Sequence, residues 1–423
     1  MKILLISFAF PPYNASGSVR AGLLAEYLLA RGHDVRVLTA HDPGYPATMA
    51  SSFPPERVVA TGWLNVFAPH ALLRRARGGT GGSQSTTRTG LRQMLINLAK
   101  GLIGVPDGQI GWYPAAIRAG RKILRGWQPD LIYSTALPFT DHLIGHRLSQ
   151  HIGARWVAEY RDLFTENPYG NTPDWRQGFD GYVERRVLAP ATACVTVSAL
   201  LAESLERRYG KRTAVVMNGY DPTGYASIQP TPELDPRNLS ILYTGIIYPG
   251  RRDPTNLFAA LALLSPAERA AVKVYFYGQE LRGVEDAARQ QGVADCVIIR
   301  PPVPLRQAQM LQANADILLL LLWNDPRERG VFTGKLFEYA GAGRPILTLG
   351  CEDGVAADLI RERGLGKVLN EPQAIAMQLR QWLADKAAGG ISPPPIEAKM
   401  GLSRAAQFDV LMRFLSEIGF KDA

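Results

Sequence analysis

The residue types best suited to chemistry lie between Gly330 and Pro345, in GVFTGKLFEYAGAGRP. This stretch follows the apolar run ILLLLLW, Ile317 to Trp323. The run is far shorter than the roughly 20 residues a membrane helix needs, but it suits a strand buried on both faces. A small-residue turn at Thr333-Gly334 then opens a helix that carries Lys335 and Glu338. Free backbone N–H groups at a helix start, with a lysine in its first turn, attract a phosphate or diphosphate. Glu338 shares a helix face with Lys335 and offers acceptors that suit ribose hydroxyls. Together they read as a nucleotide-sugar site. An exposed Lys–Glu pair on an ordinary helix is the alternative.

A second set of cations suits the same role. After the strand SILYTG comes IIYPGRRDP, where Gly245 lets a ligand approach the backbone and Arg251 and Arg252 stand beside the next helix start. A guanidinium fork can bind two phosphate oxygens, so with Lys335 these arginines make a diphosphate cradle; two adjacent arginines on a solvated surface is the plainer reading. Arg300, in RPPV at the end of CVIIR, would border a base. In the first half, PPYNASGSVRAG follows the first strand. It lacks the GxGxxG spacing of a dinucleotide turn, which weighs against a dehydrogenase. Gly17 and Ser18 still precede a helix, so their N–H groups suit an anion or a sugar. His142 opens a helix after DLIYST, and His146 follows one turn later. No acid or cysteine stands at matching spacing, so a metal site is not expected. Arg161-Asp162 ends the strand RWVAEY, as a functional polar pair or as a buried structural one.

These loops need elements to hold them. At 423 residues the chain suits two domains of about 200 residues each. Strand and helix signals alternate from KILLISFAF to TAVVMN, stop in the proline-rich stretch from Gly219 to Asn238, and restart at SILYTGI. Alternation of this kind predicts parallel sheets with helices on both faces. The expected class is α/β: two Rossmann-like domains facing each other across a cleft, 1–222 and 239–402, joined by a linker at 223–238. Ligands of such sheets sit beyond the carboxyl ends of the strands. A closing helix from Leu402 to Ile418 carries Phe408, Leu411, Met412 and Leu415 on one stripe.

The net charge of +9 is concentrated in one place. Ten Lys or Arg lie between His70 and Gly126 against one acid, Asp107, a local balance of +9 that equals the net charge of the whole chain. An anionic membrane or a phosphorylated acceptor would be drawn to it. Leu91 to Ile103, LRQMLINLAKGLI, has the pattern of an interfacial amphipathic helix, or of a solvated helix with an ordinary core side. Nucleic acid is not expected, because no binding motif accompanies the charge. Gly78 to Gly90 is a low-complexity loop. Three widely spaced cysteines and an N-terminus that reads as a strand rather than a signal peptide suit the cytoplasm.

The elements KILLISFAFPPYNASGSVRAGLLAEYLLARGHDVRVLTA, RDLF, VVMNGYD and GKLFEYAGAGRPIL, in this order, resemble those of family-4 retaining glycosyltransferases of the GT-B fold. The GKLFEYAGAGRPIL element resembles the branch that builds bacterial polysaccharides and glycoconjugates. The resemblance implies a nucleotide-sugar donor held by the second domain, a UDP-sugar being favoured, with no metal or other cofactor. Lys335 and Arg252 would hold the diphosphate and Glu338 the ribose, while Gly17-Ser18 closes over the donor. His142 and Asp162 would face the sugar or a glycan or lipid-linked acceptor, and the last helix, 403–423, would pack back on the first domain. The family's second glutamate, eight positions before the ribose-binding one, is absent: Gly330 stands there, with Asp325 and Glu328 nearby. With no carboxylate pair for double displacement, front-side attack is expected, His142 serving as acid–base or positioning group. An epimerase of the same fold or a membrane scaffold without activity are the rivals.

Overall fold

The computed structural model describes residues 1–66, 105–166, 174–248, 250–279 and 281–420. The low-complexity loop at 78–90 and the expected amphipathic helix at 91–103 therefore lie outside the described residues. The chain divides into two compact units. One comprises Met1–Val197, Leu201–Val215 and Leu411–Ala423, the other Ser198–Leu200 and Val216–Val410.

The first unit is built on seven strands: β1 (Lys2–Ile6), β2 (Asp34–Ala40), β3 (Val58–Thr61), β4 (Leu131–Ala136), β5 (Arg155–Tyr160), β6 (Ala193–Thr196) and β7 (Thr213–Val215). All pair in parallel, in the order β3-β2-β1-β4-β5-β6-β7. The central strands are apolar runs because helices cover both faces of a parallel sheet. Strands β1 and β4 are buried almost throughout. The order reverses between β1 and β4, so their carboxyl ends mark this sheet's switch point.

The second unit repeats the plan with β8 (Leu239–Thr244), β9 (Val272–Tyr277), β10 (Val297–Arg300), β11 (Ile317–Leu321), β12 (Ile346–Leu349) and β13 (Gly366–Val368), in the order β10-β9-β8-β11-β12-β13. Its switch point lies between β8 and β11. One face packs Leu257, Phe258, Leu261 and Trp382 against the sheet; the other packs Leu336, Phe337 and Tyr339. ILLLLLW is thus a doubly buried strand, as expected.

The proline-rich stretch is not a loose tether. Tyr220 bridges to Ser403, a short 3-10 turn covers Pro222–Tyr225, and Arg306 donates to the Ser227 carbonyl at 2.7 Å. The closing helix runs Arg404–Glu417, with Phe408, Leu411, Met412 and Leu415 buried. After it, Arg155 donates to the carbonyls of Ile418 and Gly419 at 3.0 and 2.8 Å and stacks on Phe420. No helix among the described residues is long and apolar enough to cross a membrane.

Candidate functional site

The second unit's switch point gathers most of the expected binding residues. Helix Gly334–Ala342 starts just beyond β11, with Thr333 as its N-cap in extended conformation and no side-chain capping bond. A threonine at this position normally caps the helix with its oxygen. Here the Thr333 hydroxyl is buried and has no hydrogen-bond partner among the described residues. The N–H groups of Gly334 and Lys335 are therefore left for a ligand, while Leu336 donates to the Thr333 carbonyl at 3.2 Å.

Lys335 lies in that turn and folds over the end of β8. Its Nζ is 5.3 Å from the centre of the Tyr243 ring. A Cβ added to Gly245 would come within 2.7 Å of Lys335 Cε and 2.8 Å of Nζ. Gly245 also has φ +122, so glycine is required there on both counts. Burial pushes the Lys335 ammonium below its ordinary pKa and Arg252 adds to this, while Glu338 opposes it. Glu338, one turn on, is shifted upward by burial, with Gln312, Lys335 and Arg404 opposing. Each charge is thus held where it is disfavoured without a counterpart. Such an arrangement suits a ligand that supplies anionic oxygens to Lys335 and hydroxyl donors to Glu338.

Arg252 is mostly enclosed. Its Nη1 donates to the Leu321 carbonyl at 2.8 Å and lies 3.7 Å from Glu328 Oε2. It joins the end of β11 to the loop that follows and adds positive charge beside Lys335. Glu328 is paired there, and Asp325 accepts three bonds from Arg327, which hold its carboxyl down at about 2. Neither carboxylate is offered in place of the glutamate that Gly330 lacks. Arg251 instead stacks on Trp323, 4.5 Å from the ring centre. Both border a cavity of about 640 Å³ that Arg329, Glu352 and Asn370 also line and that Lys335 and Glu338 do not. Arg300 is exposed and bonds its own neighbour's carbonyl, so the structure does not bring it to Lys335.

In the first unit, helix Ser16–Ala30 begins at Ser16, so Gly17 and Ser18 occupy its first turn rather than precede it. Its N-cap, Ala15, offers no capping side chain. Ser18 is fully buried and its hydroxyl has no hydrogen-bond partner among the described residues. Arg161 supports this turn from below. It donates from Nε to Ala136 O at 2.9 Å and from Nη2 to Leu137 O at 2.7 Å, and a Cβ on Gly17 would meet Nη1 at 2.5 Å. Arg161 thus locks the β4 end beneath Gly17, where a larger residue would have to displace the guanidinium. The Asp162 carboxyl is shifted up by burial against the pull of Arg161 and takes no hydrogen bond among the described residues.

His142 departs from expectation. It is fully buried, with Nδ1 2.8 Å from Ser134 Oγ and its ring packed against Phe139, Trp156 and Tyr160. A histidine enclosed in this way does not face a sugar or an acceptor. It is a core residue, and burial lowers its pKa to about 3, with a smaller opposing pull from Glu159. The sign follows: the native ring stays neutral while the unfolded chain takes up a proton below about pH 6.5. Stability is therefore full above that pH and is lost as pH falls toward 3. Between pH 7 and pH 5 this one group is expected to cost about 2 kcal/mol. Urea midpoints should fall more steeply over that range in wild type than in His142→Asn; parallel curves would refute the neutral buried ring. His146 stacks on Trp156, with ring centres 6.1 Å apart.

Three residues escaped the sequence reading. Arg20 and Glu159 form a buried ion pair at 2.8 Å, and Gln312 bonds Glu338 at 3.3 Å. Each contact joins residues far apart in sequence, and no local spacing marks it. Asp107, the one acid of the basic segment, accepts from the Thr140 amide and hydroxyl at 2.8 and 2.6 Å. Burial shifts its carboxyl upward.

The two parallel sheets with helices between their strands have the architecture of the GT-B fold. Residues 17–220 match the family model described as glycosyl transferase 4-like domain. No curated protein sequence matches the chain. Among solved structures it is similar to Anabaena Alr3699/HepE in complex with UDP, at 15% identity and TM-score 0.62, covering 99% of this chain and 100% of that one. It is also similar to sucrose-phosphate synthase from Thermosynechococcus elongatus, at 16% identity, TM-score 0.57, and coverage of 99% and 96%. The lipopolysaccharide outer core galactosyltransferase WaaB matches at 13% identity and TM-score 0.56, covering 99% of each chain.

Proposed function

We propose that the protein is a metal-independent, retaining glycosyltransferase that moves a hexose from a nucleoside-diphosphate sugar, a UDP-sugar in first place, to a glycan or lipid-linked acceptor. One observation carries this reading: an uncapped helix start with Lys335 laid over Gly245 and Glu338 one turn away, at the β8/β11 switch point. In it the diphosphate lies on the N–H groups of Gly334 and Lys335, with Lys335 as counter-charge and Arg252 behind it. Glu338 accepts from the ribose hydroxyls. Breaking the anomeric C–O bond moves negative charge onto the leaving diphosphate, where the helix start and Lys335 stabilise it as it develops. With His142 in the core, the leaving phosphate oxygen takes the acceptor's proton on the same face as the attack, and retention follows. Thr333 and the backbone around Gly330 would meet the sugar in place of the absent glutamate. In the first unit, the turn at Gly17-Ser18 and Asp162 would meet the sugar or the acceptor.

The match to a transferase domain supports transfer over epimerisation, and HepE's complex with UDP supports uridine as the base. Helix Tyr113–Gly126 exposes Arg118, Lys122 and Arg125 along one side, which supports an anionic acceptor at the cytoplasmic face of a membrane, as in polysaccharide assembly. The direct test is proton NMR of the protein with UDP-glucose and EDTA. The sugar first released or transferred is expected to have the α configuration of the donor. A β product first, or turnover that appears only when a divalent cation is added, would overturn retention or metal independence respectively.

A further inference from the structure

A polar relay behind Glu338 extends the site beyond the residues that would touch a donor. Gln312 lies in helix Leu305–Asn314 and is fully buried. A buried amide is retained at a cost unless its donors and acceptor are matched. Here all are. Its Nε2 donates to Thr244 Oγ1 at 2.9 Å and to Glu338 Oε2 at 3.3 Å. Its Oε1 accepts from the Tyr225 hydroxyl at 2.9 Å, and the same hydroxyl lies 2.8 Å from the backbone carbonyl of Glu338. Thr244 is the last residue of β8, and Tyr225 closes the turn Pro222–Tyr225. The amide therefore ties together a strand end, the segment entering the unit and the side chain of Glu338.

We propose that Gln312, held by Tyr225, is the positioning residue of the ribose-recognising carboxylate: it turns Glu338 so that one oxygen is bound inside the protein and the other faces the ribose hydroxyls. This rests on the reading of Glu338 given above. A carboxylate held at one oxygen loses little freedom when a ligand arrives, and discrimination by hydrogen bonding is then sharp. Helix Gly334–Ala342 also packs on this turn, since a Cβ on Gly341 would meet the Tyr220 and Tyr225 rings at 2.7 and 2.8 Å.

The test is calorimetric titration with UDP, GDP and ADP and with their 2′-deoxy counterparts, on wild type, Glu338→Gln, Gln312→Met and Tyr225→Phe, with melting temperatures recorded alongside. Wild type is expected to prefer the ribonucleotide it binds over its deoxy form by roughly tenfold, and Glu338→Gln to abolish the preference. Gln312→Met should lower it to about threefold or less, and Tyr225→Phe should lower it partly while keeping its ring packing. Equal preference in wild type and Gln312→Met, with Glu338→Gln levelled, would overturn the positioning role and leave the ribose reading intact. An undiminished preference in Glu338→Gln, or no binding by wild type, would overturn that reading and this proposal together. A drop in melting temperature with the preference unchanged would show that Gln312 is structural only.

Discussion

Lys335→Ala is expected to lower kcat/KM for the donor by about 10² to 10³, equivalent to roughly 3–4 kcal/mol of transition-state stabilisation, and to leave the melting temperature unchanged or slightly raised. The two halves of this expectation have one physical origin. The ammonium is largely enclosed, its pKa is pushed down by burial and by Arg252, and Glu338 is the charge that opposes this. A cation held in this way weakens the empty protein, so its removal costs the fold little. What it stabilises is charge that grows on the diphosphate as the sugar leaves. Lys335→Arg keeps the charge but changes its shape. The lysine tip fills the space that a Cβ on Gly245 would take, so the wider fork should restore only part of the activity. Steady-state rates on a donor with a common acceptor would read this out, and near-wild-type turnover in Lys335→Ala would remove the residue from the site.

The second large effect is on stability. Glu159→Gln is expected to destabilise the first unit by about 3 kcal/mol or more, measured as a lower urea midpoint with an unchanged slope. Glu159 is almost fully buried and accepts from Arg20 Nε at 2.9 Å and from the Tyr133 hydroxyl at 2.8 Å. Burial pushes its carboxyl up, but the charge and hydrogen bonds of Arg20 and the bond from Tyr133 more than offset this, and the group sits below its ordinary range. A lowered native pKa contributes stability above the unfolded value that is lost as pH falls through it. Removing the charge leaves the Arg20 guanidinium buried without its counter-ion. The pair also fixes helix Ser16–Ala30, whose first turn carries Gly17 and Ser18, onto β5. An unchanged midpoint would mean that the pair is replaced by solvent or by another partner at no cost.

Much of the architecture could be read from the sequence because parallel strands buried on both faces must be continuous apolar runs. KILLI, LIYSTA and ILLLL all show this. The strands that were not foreseen, β3 and β13, are short sheet edges of VVAT and GKV whose pattern carries no period. The site divides in the same way. Lys335 and Glu338 are one helical turn apart after a strand and a small-residue turn, so their relation is local and visible. Gln312 and Tyr225 reach Glu338 only through tertiary packing, and Arg20 meets Glu159 across 139 positions. His142 was misread for the converse reason. A polar residue at a helix start after a strand has the same local signature whether solvent or Trp156 and Tyr160 surround it, and here the aromatic rings close over it.

The central claim is that the second unit holds a nucleoside diphosphate through Lys335. The most direct measurement is calorimetric titration of wild type and Lys335→Ala with UDP, GDP, ADP and dTDP in EDTA. The account predicts that one nucleotide, UDP in first place, binds the wild type selectively, and that Lys335→Ala weakens it by tenfold or more, about 1.4 kcal/mol or above. Equal affinity in the two proteins, or no binding of any of the four, would contradict it.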